Sequence, residues 1–327
     1  MRKHRLPAGL LLCLALFAAG CSNNAQSVWT PGGPSALALK DLIIWMIVIC
    51  GFVWLCVMLV LLRALYAPED PSARQQERAR LAISAALAAT VLIVAGLTVA
   101  SFLTTRAISG SKPDMIVEVR GYQWWWQFIY KTGVEFQTAN ELHIPVGRRI
   151  KLVLEGGDVV HSIWIPSLAG KQDLLPGRRN ELFIEAEREG TFRGQCAEFC
   201  GLQHSHMAFI VLAETPVAFD AWADRQRQAR LAPPDQEAAE GEKIFLAKPC
   251  AACHTIRGTA AIGANGPDLT HLGGRLTLAA ATLPTTRGSL AAWIADPQTI
   301  KPGNNMPAVP LSSTELQAVS RYMEGLK

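Results

Sequence analysis

The sequence has no internal repeat and no low-complexity tract, which excludes repeat-array architectures. Charge is scarce as well. Only 18% of the 327 residues are charged and the net balance is +4, so nothing electrostatic argues for a nucleic-acid partner. Apolar residues fill the chain instead: 50% are hydrophobic and the mean hydropathy is +0.19. That is high for a purely water-soluble chain and predicts membrane segments. The length leaves room for about two domains.

The first apolar run, residues 10–19, follows a basic start and is too short to span a bilayer. It ends in Ala18-Ala19-Gly20-Cys21, similar to the end of a bacterial lipoprotein signal peptide. Residues 1–20 are therefore predicted to be removed and Cys21 to be lipidated, although Ala18 stands where such signals usually carry Leu. Residues 42–62 and 81–103 each have the length of about 20 residues that a membrane helix needs. The loop between them holds Arg63, Arg74, Arg78 and Arg80, which places it in the cytoplasm. A transmembrane hairpin over 40–106 follows, in a bacterial inner membrane, with everything beyond Arg106 on the outer face. Cys50 and Cys56, inside the first span, are read as small packing residues.

Of the eight cysteines, the last four form two close pairs, each with a histidine nearby, which favours metal or haem over a disulfide framework. The first pair lies in Cys196-x-Glu198-x-Cys200, followed by His204 and Met207; a further imidazole, His161, stands upstream in Asp158-Val-Val-His161. Thiolate, imidazole and a weak thioether ligand suit copper, and two cysteines four apart can bridge two metals. Zinc accepts two Cys and two His but leaves Met207 without a role. A Cys196–Cys200 disulfide would explain neither the histidines nor the methionine.

The run Asp158-Val-Val-His161-Ser-Ile-Trp164-Ile-Pro166, together with the cysteine motif, resembles the binuclear copper (CuA) site of the cytochrome c oxidase subunit II family. The resemblance implies His161, Cys196, Cys200, His204 and Met207 as copper ligands, with the Glu198 carbonyl as a weak one. It also implies a magnesium ion held in part by the Glu198 carboxylate at the boundary with subunit I. In Gly121-Tyr-Gln-Trp124-Trp-Trp126 it makes Trp124 the residue that receives the electron. Glu77 stands near the family's proton-channel carboxylate, but the Trp and Pro usual beside it are absent; it is read as a loop acid. His206 takes no role from the family, and His143 is read as structural.

From residue 115 the pattern turns to short strands, expected at 116–120, 141–144, 149–155, 180–185, 190–195 and 208–212, with an aromatic stretch at 121–130. Gly/Pro turns separate them, and the expectation is an all-β cupredoxin-like domain over 113–214 with its ligands on loops at one end. A helix over 215–230 leads into a proline-stiffened linker ending at 236.

The second pair is Cys250-Ala-Ala-Cys253-His254, the attachment pattern of a c-type haem with His254 as iron ligand. The flanks Gly241 to Phe245 and Gly263 to Leu269 resemble class I cytochrome c, so a small all-α domain is expected over 237–327. Its second iron ligand is Met306, in a loop similar to the family's methionine loop; Met323, on the last helix, is read as core. Ser312-x-x-Glu315 predicts a capping box opening that helix.

Taken together, the resemblance implies subunit II of a haem–copper oxidase of the caa(3) type, a multidomain membrane protein with its own cytochrome c. Its implied partners are subunits I and III, and its implied electron donor a soluble or membrane cytochrome c or a bc1-type complex. Dioxygen is reduced in subunit I, so no residue here is a catalytic acid, base or nucleophile. A CuA-containing subunit of a nitric oxide or nitrous oxide reductase is the alternative with the same copper ligands. A copper-delivery protein has no use for a covalent haem, and the quinol-oxidase branch lacks these copper ligands.

Overall fold

The computed structural model describes residues 26–66, 72–109 and 112–327. The signal peptide expected at 1–20 and the lipidation expected at Cys21 lie outside the described residues.

Helices α1 (Pro34–Ala64) and α2 (Ala73–Ser109) carry the apolar runs, with window hydropathies of 2.9 and 2.3. Both extend past the apolar runs themselves: Pro34 stands at the first turn, where proline is tolerated, and Ala, Leu, Lys, Arg, Gln and Glu in the flanks are good helix formers. Residues 37–111 form a compact unit of their own. Trp45, Phe52 and Leu92 stand 64%, 67% and 72% exposed, so among the described residues the apolar runs of these helices are left largely uncovered. In water that surface would be untenable; in lipid it is the required one.

The second unit opens with ten strands. They are β1 (Met115–Tyr122), β2 (Trp125–Tyr130), β3 (Phe136–Ala139), β4 (Glu141–Pro145) and β5 (Ile150–Gly156), then β6 (His161–Trp164), β7 (Gln172–Leu174), β8 (Asn180–Ile184), β9 (Gly190–Cys196) and β10 (Ala208–Glu214). They form two five-stranded sheets, ordered β3-β2-β1-β5-β8 and β4-β10-β9-β6-β7. The pairs β1/β5 and β4/β10 are parallel and the remaining pairs antiparallel. Alternation sets the faces: Ile150, Leu152 and Leu154 are fully buried while Lys151, Val153 and Glu155 are half-exposed. With Phe128, Leu142, Ile163 and Phe209 they make one core, each side chain contributing about 1.5–3 kcal/mol by burial. Strands β3, β6 and β7 were not expected from the sequence. They are three or four residues long, too short for alternation to register, and pairing with longer neighbours makes them strands.

Helix α3 (Pro216–Arg227) starts on a Thr215 cap, whose hydroxyl accepts from Ala218 N, and stops three residues short of the expected end. It lays Phe219 and Trp222 on Tyr130, and Trp222 stacks on His143 at 3.9 Å, giving His143 its structural place. Helices α4 (Gln236–Ala247), α5 (Cys250–Cys253), α6 (Arg287–Ala295), α7 (Pro297–Ile300) and α8 (Ser313–Gly325) follow. They surround a second core of Phe245, Ile256, Leu290, Val319, Tyr322 and Met323. Gly241 lets α4 and α8 close: any side chain there would strike the Ala318 backbone. The expected capping box is present, with Ser312 and Glu315 each bonding the other's backbone. One feature departs from an all-α reading, a hairpin of two-residue strands, β11 (Thr277–Leu278) and β12 (Leu283–Pro284).

Candidate metal and haem sites

Cys196 ends β9 and is held by both neighbouring strands' chains: its N–H donates to Met207 O, and Ala197 N donates to Ser162 O, each at 2.9 Å. His161 opens β6 beside it, and Cys200, His204 and Met207 lie on the return to β10. The fold thereby gathers donors from distant parts of the chain. The two Sγ atoms are 3.7 Å apart, with His161 Nδ1 at 3.9 Å from Cys196 and His204 Nδ1 at 3.7 Å from Cys200. Met207 Sδ is 3.8 Å from Cys200 Sγ, and Glu198 O is 3.2 Å from Cys196 Sγ. The thiols are buried and free, too far apart for a disulfide. Every residue expected in the copper site is brought together.

The sequence reading gave Asp158 no role, and the structure supplies one. Its Oδ1 accepts from His161 Nε2 at 2.8 Å, and its carboxylate also accepts from the Gln123 and Val159 amides. With Nε2 donating, the Nδ1 lone pair faces Cys196. Burial opposes the Asp158 charge, but these hydrogen bonds, His161 first, outweigh it and hold the carboxyl below its usual range. The three-residue spacing from Asp158 to His161 was the available signal. Gly121 matters too: a Cβ there would sit 2.9 Å from the His161 ring. Gly201, at φ +113°, turns the ligand loop in a conformation that favours glycine.

The hydrogen bond between the thiols lowers the Cys196 pKa and raises that of Cys200, which burial raises further. A cation between them favours the thiolate form of both. Two thiols, two imidazoles, a thioether and a carbonyl form a soft donor set that suits copper. The Glu198 carboxylate points elsewhere, 3.7 Å from Lys171 Nζ, with both side chains about half exposed.

In the helical domain, Cys250 and Cys253 bracket the one-turn α5 and His254 follows in extended conformation. His254 Nδ1 donates to Pro267 O at 2.8 Å, which leaves Nε2 as the ligating nitrogen. Burial, first, pushes its pKa below the ordinary value, which favours the neutral ring that a metal ligand requires. Gly266 lies against this ring, where a Cβ would meet it at 2.6 Å. These groups fit a covalently held haem. Met306 is half-buried on the loop after α7; Asn304 Oδ1 accepts from its N–H, and its carbonyl accepts from Gln298 Nε2. Met323 is 2% exposed and packs in the core.

The two domains share a seam of hydrogen bonds beside the copper-ligand loop. Trp124 occupies the β1–β2 turn, and its indole N–H donates to Cys200 O at 3.0 Å. Gly303 of the haem-domain loop lies nearby, where a Cβ would lie 3.0 Å from Leu202 and at ordinary contact distance, 3.8 Å, from the Trp124 ring. Gln203 Nε2 donates to Pro302 O, Ala208 N to Ala280 O, and the Leu276 and Thr277 amides to the buried Glu141 carboxylate. Lys301, 2% exposed, reaches the Trp124, His206 and Ala279 carbonyls.

Residues 134–214 match the family model for the periplasmic domain of cytochrome c oxidase subunit II, and residues 238–327 match the cytochrome c model. A cytochrome c oxidase subunit 2 from Alkalihalophilus pseudofirmus is 32% identical over 328 residues, covering 96% of this chain and 95% of that one. One from Bacillus subtilis is 33% identical over 224 residues, covering 65% of this chain and 62% of that one. Among solved structures, the periplasmic domain of subunit II of cytochrome oxidase from Bradyrhizobium japonicum is 29% identical, with TM-score 0.35. It covers 36% of this chain and 96% of that chain.

Proposed function

The chain belongs to the cytochrome c oxidase subunit II family, with a cytochrome c domain fused at its C-terminus, and from that premise we propose that its haem and copper sites work in series, the haem domain first. It is a membrane protein with a periplasmic domain, and the oxidase reading stands above the reductase alternative. When bound, haem c and the copper pair supply the one-electron carrying states; the chain's own residues set where those states lie and how rigidly they are held.

His254, Cys250, Cys253 and Met306 would hold the haem, and His161, Cys196, Cys200, His204, Met207 and the Glu198 carbonyl the binuclear copper. Glu198's half-exposed carboxylate offers a hard oxygen beside the copper loop for a magnesium site at a subunit boundary, in exchange for Lys171. The sheet fixes Cys196, and Asp158 and Gly121 fix His161. A change of charge then finds ligands that cannot move far, which keeps reorganisation small. Trp124 spans the seam between the sites. Dioxygen reduction is assigned to the partner subunit that holds the oxygen site. We take subunits I and III as the partners in a bacterial inner membrane, and a cytochrome c or bc1-type complex as the donor to the fused domain.

The observation that supports the series reading is the bonded path from the haem-domain loop to the copper-ligand loop: Lys301 Nζ donates to Trp124 O, and the Trp124 indole N–H donates to Cys200 O. A Cys196→Ser variant of the assembled oxidase tests it. Haem c should still be reduced by an external donor while oxygen uptake falls steeply. Near-normal uptake would mean that electrons bypass the copper.

A further inference from the structure

Lys301 is the buried cation of the seam. Its ammonium donates to Trp124 O and His206 O at 3.0 Å and to Ala279 O at 3.2 Å, and the residue is 2% exposed. An ammonium has three donors and no acceptor, so three carbonyls satisfy it completely. That is why the charge is tolerated in a buried place without a carboxylate.

The three carbonyls come from three different segments. Trp124 is the turn beside Cys200, His206 lies between His204 and Met207, and Ala279 belongs to the hairpin of the haem domain. Lys301 itself stands five residues before Met306 on the same loop. A single atom thus ties the loop of the haem-side methionine to the copper-ligand loop and to the tryptophan between them. A second observation lies at the same point. Ala279, Ala280 and Ala281 have φ of 52°, 58° and 60°, a left-handed stretch that alanine adopts only at a cost. Such a conformation persists where its surroundings hold it, and here Lys301 and the Ala208 amide grip the first two carbonyls.

We propose that Lys301 is a positioning residue for electron transfer: its three-carbonyl contact seats the haem domain on the copper loop and sets the separation of the two redox sites. The proposal rests on the series reading above. A misplacement of about 1 Å at a reacting centre can cost on the order of 100-fold in rate. Lys301 touches no candidate ligand side chain, so its loss leaves both metal sets intact.

The test is the rate of electron transfer from photoreduced haem c to copper in the whole assembled oxidase. Lys301→Met should slow it about tenfold or more, with the haem c and copper spectra retained. Lys301→Arg should not restore it, because a planar guanidinium does not present three donors from one atom. Should Lys301→Met lose haem or copper, Lys301→Gln is read in the same way. An unchanged rate in a fully metallated variant, or full rescue by Arg, overturns the proposal. Wild-type enzyme provides an arm that needs no variant. A buried ammonium on carbonyls predicts a transfer rate insensitive to ionic strength, and a rate that falls with salt overturns the proposal too. Absence of any haem-to-copper transfer in wild type would instead defeat the series reading.

Discussion

An imidazole ligates through the nitrogen that is not already donating, and for two of the three candidate imidazole ligands, His161 and His254, a neighbour makes that choice. Asp158 takes Nε2 of His161, and the Pro267 carbonyl takes Nδ1 of His254. Losing such a partner typically weakens metal binding about 10–100-fold. Asp158→Asn should therefore lower the copper-to-haem ratio after mild chelation while haem c content stays constant; an unchanged ratio would leave Asp158 a bystander. On the haem side, Met306→His should keep the covalent haem and lower its potential, since Met/His ligation is what raises it. Met323→Leu, a substitution within the core, should leave the thioether–iron charge-transfer band in place. Loss of that band from the Met323 variant alone would reverse the assignment.

The helical domain closes through its first and last helices, and the ends of both are governed by carboxylates. Asp235 caps α4: the Ala238 amide, then the Arg321 guanidinium, hold its pKa below the ordinary value. Glu315 is lowered first by the Ser312 amide and then by Lys248. A carboxylate whose pKa is depressed by folding adds stability above its unfolded value, and that contribution disappears as pH falls through the folded one. Asp235→Asn should thus lower the domain's stability at neutral pH and flatten its decline toward acid. Denaturant titrations followed by haem c absorbance at neutral pH and near pH 3 check this, about where carboxylates protonate. An unaltered pH slope would remove Asp235 from the account.

For the whole molecule, the arginines between the two spans set the expected orientation. A reporter inserted near Pro71 should be active only if it functions in the cytoplasm, and one fused after Lys327 only if it functions outside. Activity of an exported-only reporter at Pro71 would invert the topology. The domain that follows α3 has its own core, yet it shares a seam of hydrogen bonds with the copper-ligand loop. Its seat is a bonded one rather than a loose tether.

Local signals carried much of this protein's character. Ligand types at fixed spacing, apolar runs of bilayer length, the Cys-x-x-Cys-His pattern and the capping box are written within short windows, because each depends on residues that the backbone itself keeps close. Strands β6 and β7, the orientation of His161 by Asp158, and the need for Gly121 opposite that ring were decided by tertiary structure. They depend on which strands become neighbours, and no window of the chain contains both sides of those contacts. Lys301 is the clearest case. In sequence it is one of the 31 basic residues, with nothing to distinguish it from a solvated loop lysine. Its meaning comes from three carbonyls, two of them 177 and 95 residues away, that only the folded chain brings within reach of a single ammonium.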